Sequence, residues 1–137
     1  MEINKIYNED CFVTMKNMFD CGLNINNVIT SPPYNTGRTA VSEYAMRTRN
    51  QRYDLFIDDK TSEDYIKWTV DLFNSMDKIL HKDGSILYNI SYGNDVTQSP
   101  DSIGLMWRVI SHVIEETNFT TADRIIWKKK SALPNNV

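Results

Sequence analysis

Ser31-Pro32-Pro33-Tyr34 sets a hydroxyl, two rigid rings and an aromatic face within one turn of chain. Proline fixes φ and removes a donor, so two in a row end a strand ladder and stiffen the backbone around them. The Ser31 hydroxyl and the Pro32 carbonyl then stand as two acceptors held without reorganisation. Such a pair suits the exocyclic amino group of cytosine or adenine. That nitrogen is a poor nucleophile because its lone pair is delocalised into the ring. Two acceptors gripping its N–H bonds draw it toward a tetrahedral shape and return density to nitrogen. Tyr34 offers a face on which a base can stack.

These residues need a scaffold, and hydrophobic periodicity supplies its outline. Residues 3–7 alternate polar and apolar side chains and read as a short strand. Phe12, Met15 and Met18 then lie three apart on one face of a helix. Residues 27–30 form a second strand, which the prolines stop. Thr61-Ser62-Glu63-Asp64 is a capping-box variant that starts a strong helix, with its acids at the positive end of the dipole. Tyr65, Thr69, Leu72, Phe73, Met76, Ile79 and Leu80 line one face of that helix. Lys78, His81 and Lys82 fall in or near its last turn, and Gly84 just beyond. Residues 85–90 read as a strand. Leu105, Met106, Val109, Ile110, Val113 and Ile114 mark another helix, and residues 120–127 a closing strand around Ile125 and Ile126. Alternation of this kind predicts an α/β fold with a largely parallel sheet. In such sheets ligands bind at the carboxyl ends of the strands, where residues 30–35 fall.

The segment at about 36–59 has no sustained periodicity and exceeds the roughly 12–15 residues usual for a structureless loop. It reads as a long mobile loop. The net charge of −3 argues against a nucleic-acid-binding module taken as an average. The charge is uneven, however. Arg38, Arg47, Arg49 and Arg52 crowd that loop, and Lys128, Lys129 and Lys130 form a second cluster. Each cluster is either a phosphate-contacting surface or a solvated basic loop. Cys11 and Cys21 fit no zinc spacing and read as free, partly buried thiols. His81 and His112 have no partner at ligand spacing, so a structural role is expected. No apolar run is long enough to span a bilayer, no signal peptide is visible, and the expected location is cytoplasmic.

Ser31-Pro32-Pro33-Tyr34 resembles the (Asp/Asn/Ser)-Pro-Pro-Tyr motif of the S-adenosylmethionine-dependent DNA amino-methyltransferases, which make N4-methylcytosine or N6-methyladenine. Tyr7-Asn8-Glu9-Asp10-Cys11 looks like the family's upstream element, whose acid contacts the cofactor's adenine. Asp83-Gly84-Ser85, Ser91-Tyr92-Gly93 and Trp127-Lys128-Lys129 with Pro134 look like its later motifs, in the family's order. The resemblance implies a partial Rossmann-like methyltransferase domain. Ser31 and Pro32 would orient the target amino group, Pro33 would shape the turn, and Tyr34 would stack on a flipped base. Asp10 would accept from the adenine of S-adenosylmethionine, or cap the helix after it; the two roles are compatible. Trp127 is either a base contact or packed core, and Lys128 a DNA contact beside it. Double-stranded DNA is the implied partner, and the basic loop would lie over its phosphates. Ser in the first motif position favours cytosine N4 over adenine N6. Neither cysteine is required by direct transfer to nitrogen.

The family's Gly-rich strand–helix turn is missing, and all five glycines are isolated. In the permuted group that begins near the Pro-Pro-Tyr motif, that turn follows a target-recognition region in the C-terminal half. Residues 1–137 therefore read as the N-terminal part of a catalytic domain, with the recognition region absent. By position the four strands resemble the third, fourth, fifth and sixth of a sheet ordered three, two, one, four, five, seven, six. Gaps are then expected inside the sheet. Alone, the chain is expected to be inactive and to require a complementing C-terminal half or to self-associate. An inactive remnant serving as a binding module, and an amino-methyltransferase acting on RNA or protein, are the alternative readings.

Overall fold

The computed structural model describes residues 1–35, 60–90 and 104–127. Arg38, Arg47, Arg49, Arg52 and Lys128, the loop at 36–59 and Ser91-Tyr92-Gly93 lie outside the described residues. The elements run α1 (Cys11–Asp20), β1 (Ile25–Thr30), α2 (Ser62–Asp77), β2 (Leu80–Tyr88) and α3 (Leu105–Glu116). The two strands pair in parallel, which makes the described residues an α/β arrangement around a β1–α2–β2 crossover.

The helix caps follow the sequence. The Asp10 carboxylate accepts from the Phe12 N–H at 2.8 Å and starts α1. Thr61 starts α2, its hydroxyl oxygen accepting from the Asp64 N–H at 3.1 Å. The Asp64 carboxylate takes the Thr61 hydroxyl proton at 2.7 Å, where a full capping box would take the backbone N–H. Replacing Thr61 by alanine removes both bonds and is expected to destabilise the fold by about 1 kcal/mol. A lowered urea midpoint with an unchanged slope checks this, and Thr61→Ser should restore it.

Helix α2 packs against both α1 and α3. Tyr65, Val70, Phe73 and Met76 join Met15 of α1 and Leu105, Val109 and Val113 of α3 in one core. Val28, Ile86 and Tyr88 turn one face of the sheet toward it. The other face carries Ile29 and Leu87, register partners that are 80% and 48% exposed. Parallel sheets are ordinarily covered on both faces, so half of the usual enclosure is present.

Two expected strands do not form. Residues 3–7 and 120–127 have no ladder, and Ile6 and Ile125 are 95% and 82% exposed. A strand's backbone ladder needs a neighbouring strand, and among the described residues neither segment has one. A third correction concerns the end of α2. The helix stops at Asp77, and Leu80, His81, Lys82 and Gly84 belong to β2. The Ile25 N–H donates to the Ile79 carbonyl at 2.9 Å, so pairing captures this stretch before another helical turn can form. The register slips between Ile25 and Asn27, where Gly84 meets the facing backbone.

Candidate active site

Strand β1 delivers its last residue, Thr30, against the end of β2, where the Asn89 N–H donates to the Thr30 carbonyl at 2.9 Å. Beyond this rung the prolines end the ladder, and the chain turns across the carboxyl end of the sheet. Ser31 is exposed, Pro32 is buried, and Pro33 and Tyr34 are half-buried. Ser31 Oγ and Tyr34 Oη share a hydrogen bond at 2.8 Å. The Asn89 amide donates through Nδ2 to both oxygens, each at 2.8 Å. The Ser31 hydroxyl expected to grip the base and the hydroxyl of the ring expected to stack on it therefore meet one amide from the neighbouring strand.

Two further anchors hold the turn. Tyr65, only 1% exposed on α2, donates its hydroxyl proton to the Pro33 carbonyl at 2.8 Å. No described residue donates to the Pro32 carbonyl, the second expected acceptor. Asn35, at a left-handed φ of 54°, follows Tyr34. Its side chain donates to the Lys60 carbonyl and accepts from the Lys60 N–H, both at 2.8 Å. Residues 35 and 60 are thus closed into a neck directly beside the turn.

A cleft of about 540 Å³ opens next to Ser31, with Tyr7, Glu9, Cys11, Ile29 and Pro33 among its walls. Its size falls in the range of small-molecule sites, roughly 300–1,000 Å³. Asp10 caps α1 between Glu9 and Cys11, which line the cleft; Glu9 accepts from the Thr14 hydroxyl at 2.8 Å. Trp127 is 75% exposed and is no part of the core, which removes one of its two expected roles. Both cysteines are free and exposed, against the expectation of partly buried thiols. Partial desolvation, and then the Asp10 carboxylate, push the Cys11 thiol above its ordinary pKa, which disfavours the thiolate. Burial likewise pushes the Tyr88 hydroxyl up and keeps it neutral. No cluster of potential metal ligands occurs among the described residues.

Sequence reasoning missed Asn89 and the anchoring role of Tyr65. A polar residue between Tyr88 and Ile90, near the end of the expected strand, was the available signal for Asn89. Tyr65 read simply as one more position on a core stripe.

A family model described as DNA methylase, of the N6/N4 type, matches residues 25–137. The chain belongs to that family. The matched stretch contains the Ser31–Tyr34 turn, Tyr65 and Asn89, and leaves out Asp10. The chain is also 30% identical over 135 residues to the Type II methyltransferase M.BglII from Bacillus subtilis. That similarity covers 98% of this chain but 31% of the relative, so the chain spans about a third of that methylase's length. No solved structure matches it significantly.

Proposed function

We propose that this chain is the base-presenting part of a site-specific DNA amino-methyltransferase. The enzyme would transfer a methyl group from S-adenosylmethionine to the exocyclic amino group of a flipped base, with cytosine N4 favoured over adenine N6. The observation that carries the reading is the Ser31-Pro32-Pro33-Tyr34 turn at the carboxyl end of a parallel strand, inside the region of family similarity.

The residues fit the cofactor. The cleft beside Ser31 has the volume of a small-molecule site. Oδ1 of Asp10 is engaged by the Phe12 N–H, and a carboxylate has further lone pairs to offer an adenine amino group. When bound, S-adenosylmethionine would supply an electrophilic methyl: the base nitrogen would bond to that carbon as the carbon–sulfur bond breaks, sulfur would leave as a neutral thioether, and the extra amino proton would pass to solvent, with no enzyme nucleophile. Ser31 Oγ and the Pro32 carbonyl grip the two amino protons and draw density onto the nitrogen. Tyr34 stacks on the base once it has left the duplex. Arg38, Arg47, Arg49, Arg52 and Lys128 contact phosphates, and Trp127 contacts the displaced base or its neighbour.

The domain this implies is Rossmann-like and incomplete in residues 1–137. Among the described residues each strand has one unpaired edge, and Ile29 and Leu87 stand on an open face. Unpaired strand edges invite pairing with further chain. A complementing C-terminal segment with a Gly-rich turn is the proposed occupant. Without it, the chain is expected neither to bind the cofactor tightly nor to turn over.

Digestion to nucleosides of DNA modified by the complete methyltransferase tests the proposal. N4-methylcytosine is the expected product. N6-methyladenine alone would overturn the choice of base, and the absence of any modified base would overturn the reading itself.

A further inference from the structure

The contact between Asn89 and the motif joins residues 55 and 58 positions apart in sequence, and no part of the proposed chemistry explains it. Ser31 Oγ, Tyr34 Oη and Asn89 Nδ2 form a triangle with every edge at 2.8 Å. Three hydrogen bonds need three protons. An inward-facing amide nitrogen supplies two, and one hydroxyl supplies the third. Were the amide flipped, its oxygen would take both hydroxyl protons and leave the Ser31–Tyr34 contact with none. The orientation with nitrogen inward satisfies all three edges.

We infer that Asn89 is a positioning residue: it pins the Ser31 hydroxyl and the Tyr34 phenol to each other across the ends of β1 and β2. This deepens the proposed function and rests on it. A serine hydroxyl has one proton and two lone pairs. Asn89 occupies one lone pair, and either oxygen can donate in the Ser31–Tyr34 bond. When Ser31 donates to Tyr34, the position left open on Ser31 is a lone pair, the acceptor that a base amino group requires, and this is the arrangement the proposed role uses. Ser31 is exposed on a short side chain and has three rotamers to choose from. The amide selects one of them before the base arrives. Asn89 itself is fixed by its own N–H on the Thr30 carbonyl, so the pin is seated on the last rung of the sheet.

The test is single-turnover methyl transfer by the complete methyltransferase and its Asn89→Ala, Asn89→Asp, Tyr34→Phe and Asn89→Ala/Tyr34→Phe variants. Cofactor affinity and melting temperature are measured alongside. Misplacing a reacting contact by about 1 Å costs on the order of 100-fold in rate, which is the loss expected for Asn89→Ala. Cofactor affinity and melting temperature should stay near the parent's. Asn89→Asp keeps the size but cannot donate, and should lose about as much. The double variant should lose less than the product of the single losses, because both groups act on the same hydroxyl. A wild-type rate for Asn89→Ala, full rescue by Asn89→Asp, multiplicative losses, or a loss that merely tracks cofactor affinity or melting would each overturn the inference. Ser31→Ala separates this from failure of the underlying reading. If Ser31→Ala is active at the normal rate, the reading fails; if it is dead while Asn89→Ala is normal, only the inference does.

Discussion

Ser31→Ala in the complete methyltransferase is expected to lower the rate of methyl transfer by about 10²–10³-fold, the usual cost of deleting one preorganised group that stabilises developing charge. Tyr34→Ala removes the proposed stacking face as well as a hydroxyl. Base–aromatic stacking contributes roughly 1–3 kcal/mol, so a loss of about 5- to 150-fold is expected from that term alone. Neither residue is part of the buried core, and Ser31 is exposed. The melting temperature of both variants should therefore stay close to the parent's. Single-turnover incorporation of labelled methyl groups, with thermal melts on the same preparations, checks both halves. Near-normal turnover by either variant would falsify its assigned role.

Gly84→Ala is expected to damage the fold more than any other one-methyl change in β2. A Cβ there would sit 2.7 Å from the Asn26 carbonyl oxygen, 2.8 Å from the His81 carbonyl oxygen and 2.6 Å from the Leu80 side chain. The leucine can swing away, but the two carbonyls are backbone. The strands would have to part where their register already slips, between Ile25 and Asn27. Overpacking of this kind costs about 1–3 kcal/mol, against a domain stability of roughly 5–15 kcal/mol. The readout is a lower denaturant midpoint, with activity falling as well because β2 carries Asn89 at its end. A variant with an unchanged midpoint would show that β1 and β2 do not approach as closely as this.

What the sequence revealed of the fold depended on how local each signal was. Phe12, Met15 and Met18 share a helix face whatever surrounds them, and α1 forms there. Thr61 reaches only three residues ahead, and it caps α2. Residues 3–7 and 120–127 carry strand-like patterns, but alternation supplies no ladder, and neither joins the sheet of the described residues. Leu80 belongs equally well to a helical stripe and to a strand; the Ile25–Ile79 hydrogen bond decides between them. The site divides in the same way. Ser31 to Tyr34 could be read because two prolines dictate a turn with little help from elsewhere. Asn89 and Tyr65 could not, since their roles arise only when distant segments meet.

The pair of hydrogen bonds between Asn35 and Lys60 has a consequence for how such a protein can diversify. Because residues 35 and 60 are fastened to each other, the separation of the two stems does not depend on how much chain runs between them. Closing a longer excursion costs only about 0.6 kcal/mol per doubling of its length. A change in the length of chain between residues 35 and 60 is therefore expected to leave Tyr34 and Ser31 in place. The same neck therefore serves as a grafting point for an engineer.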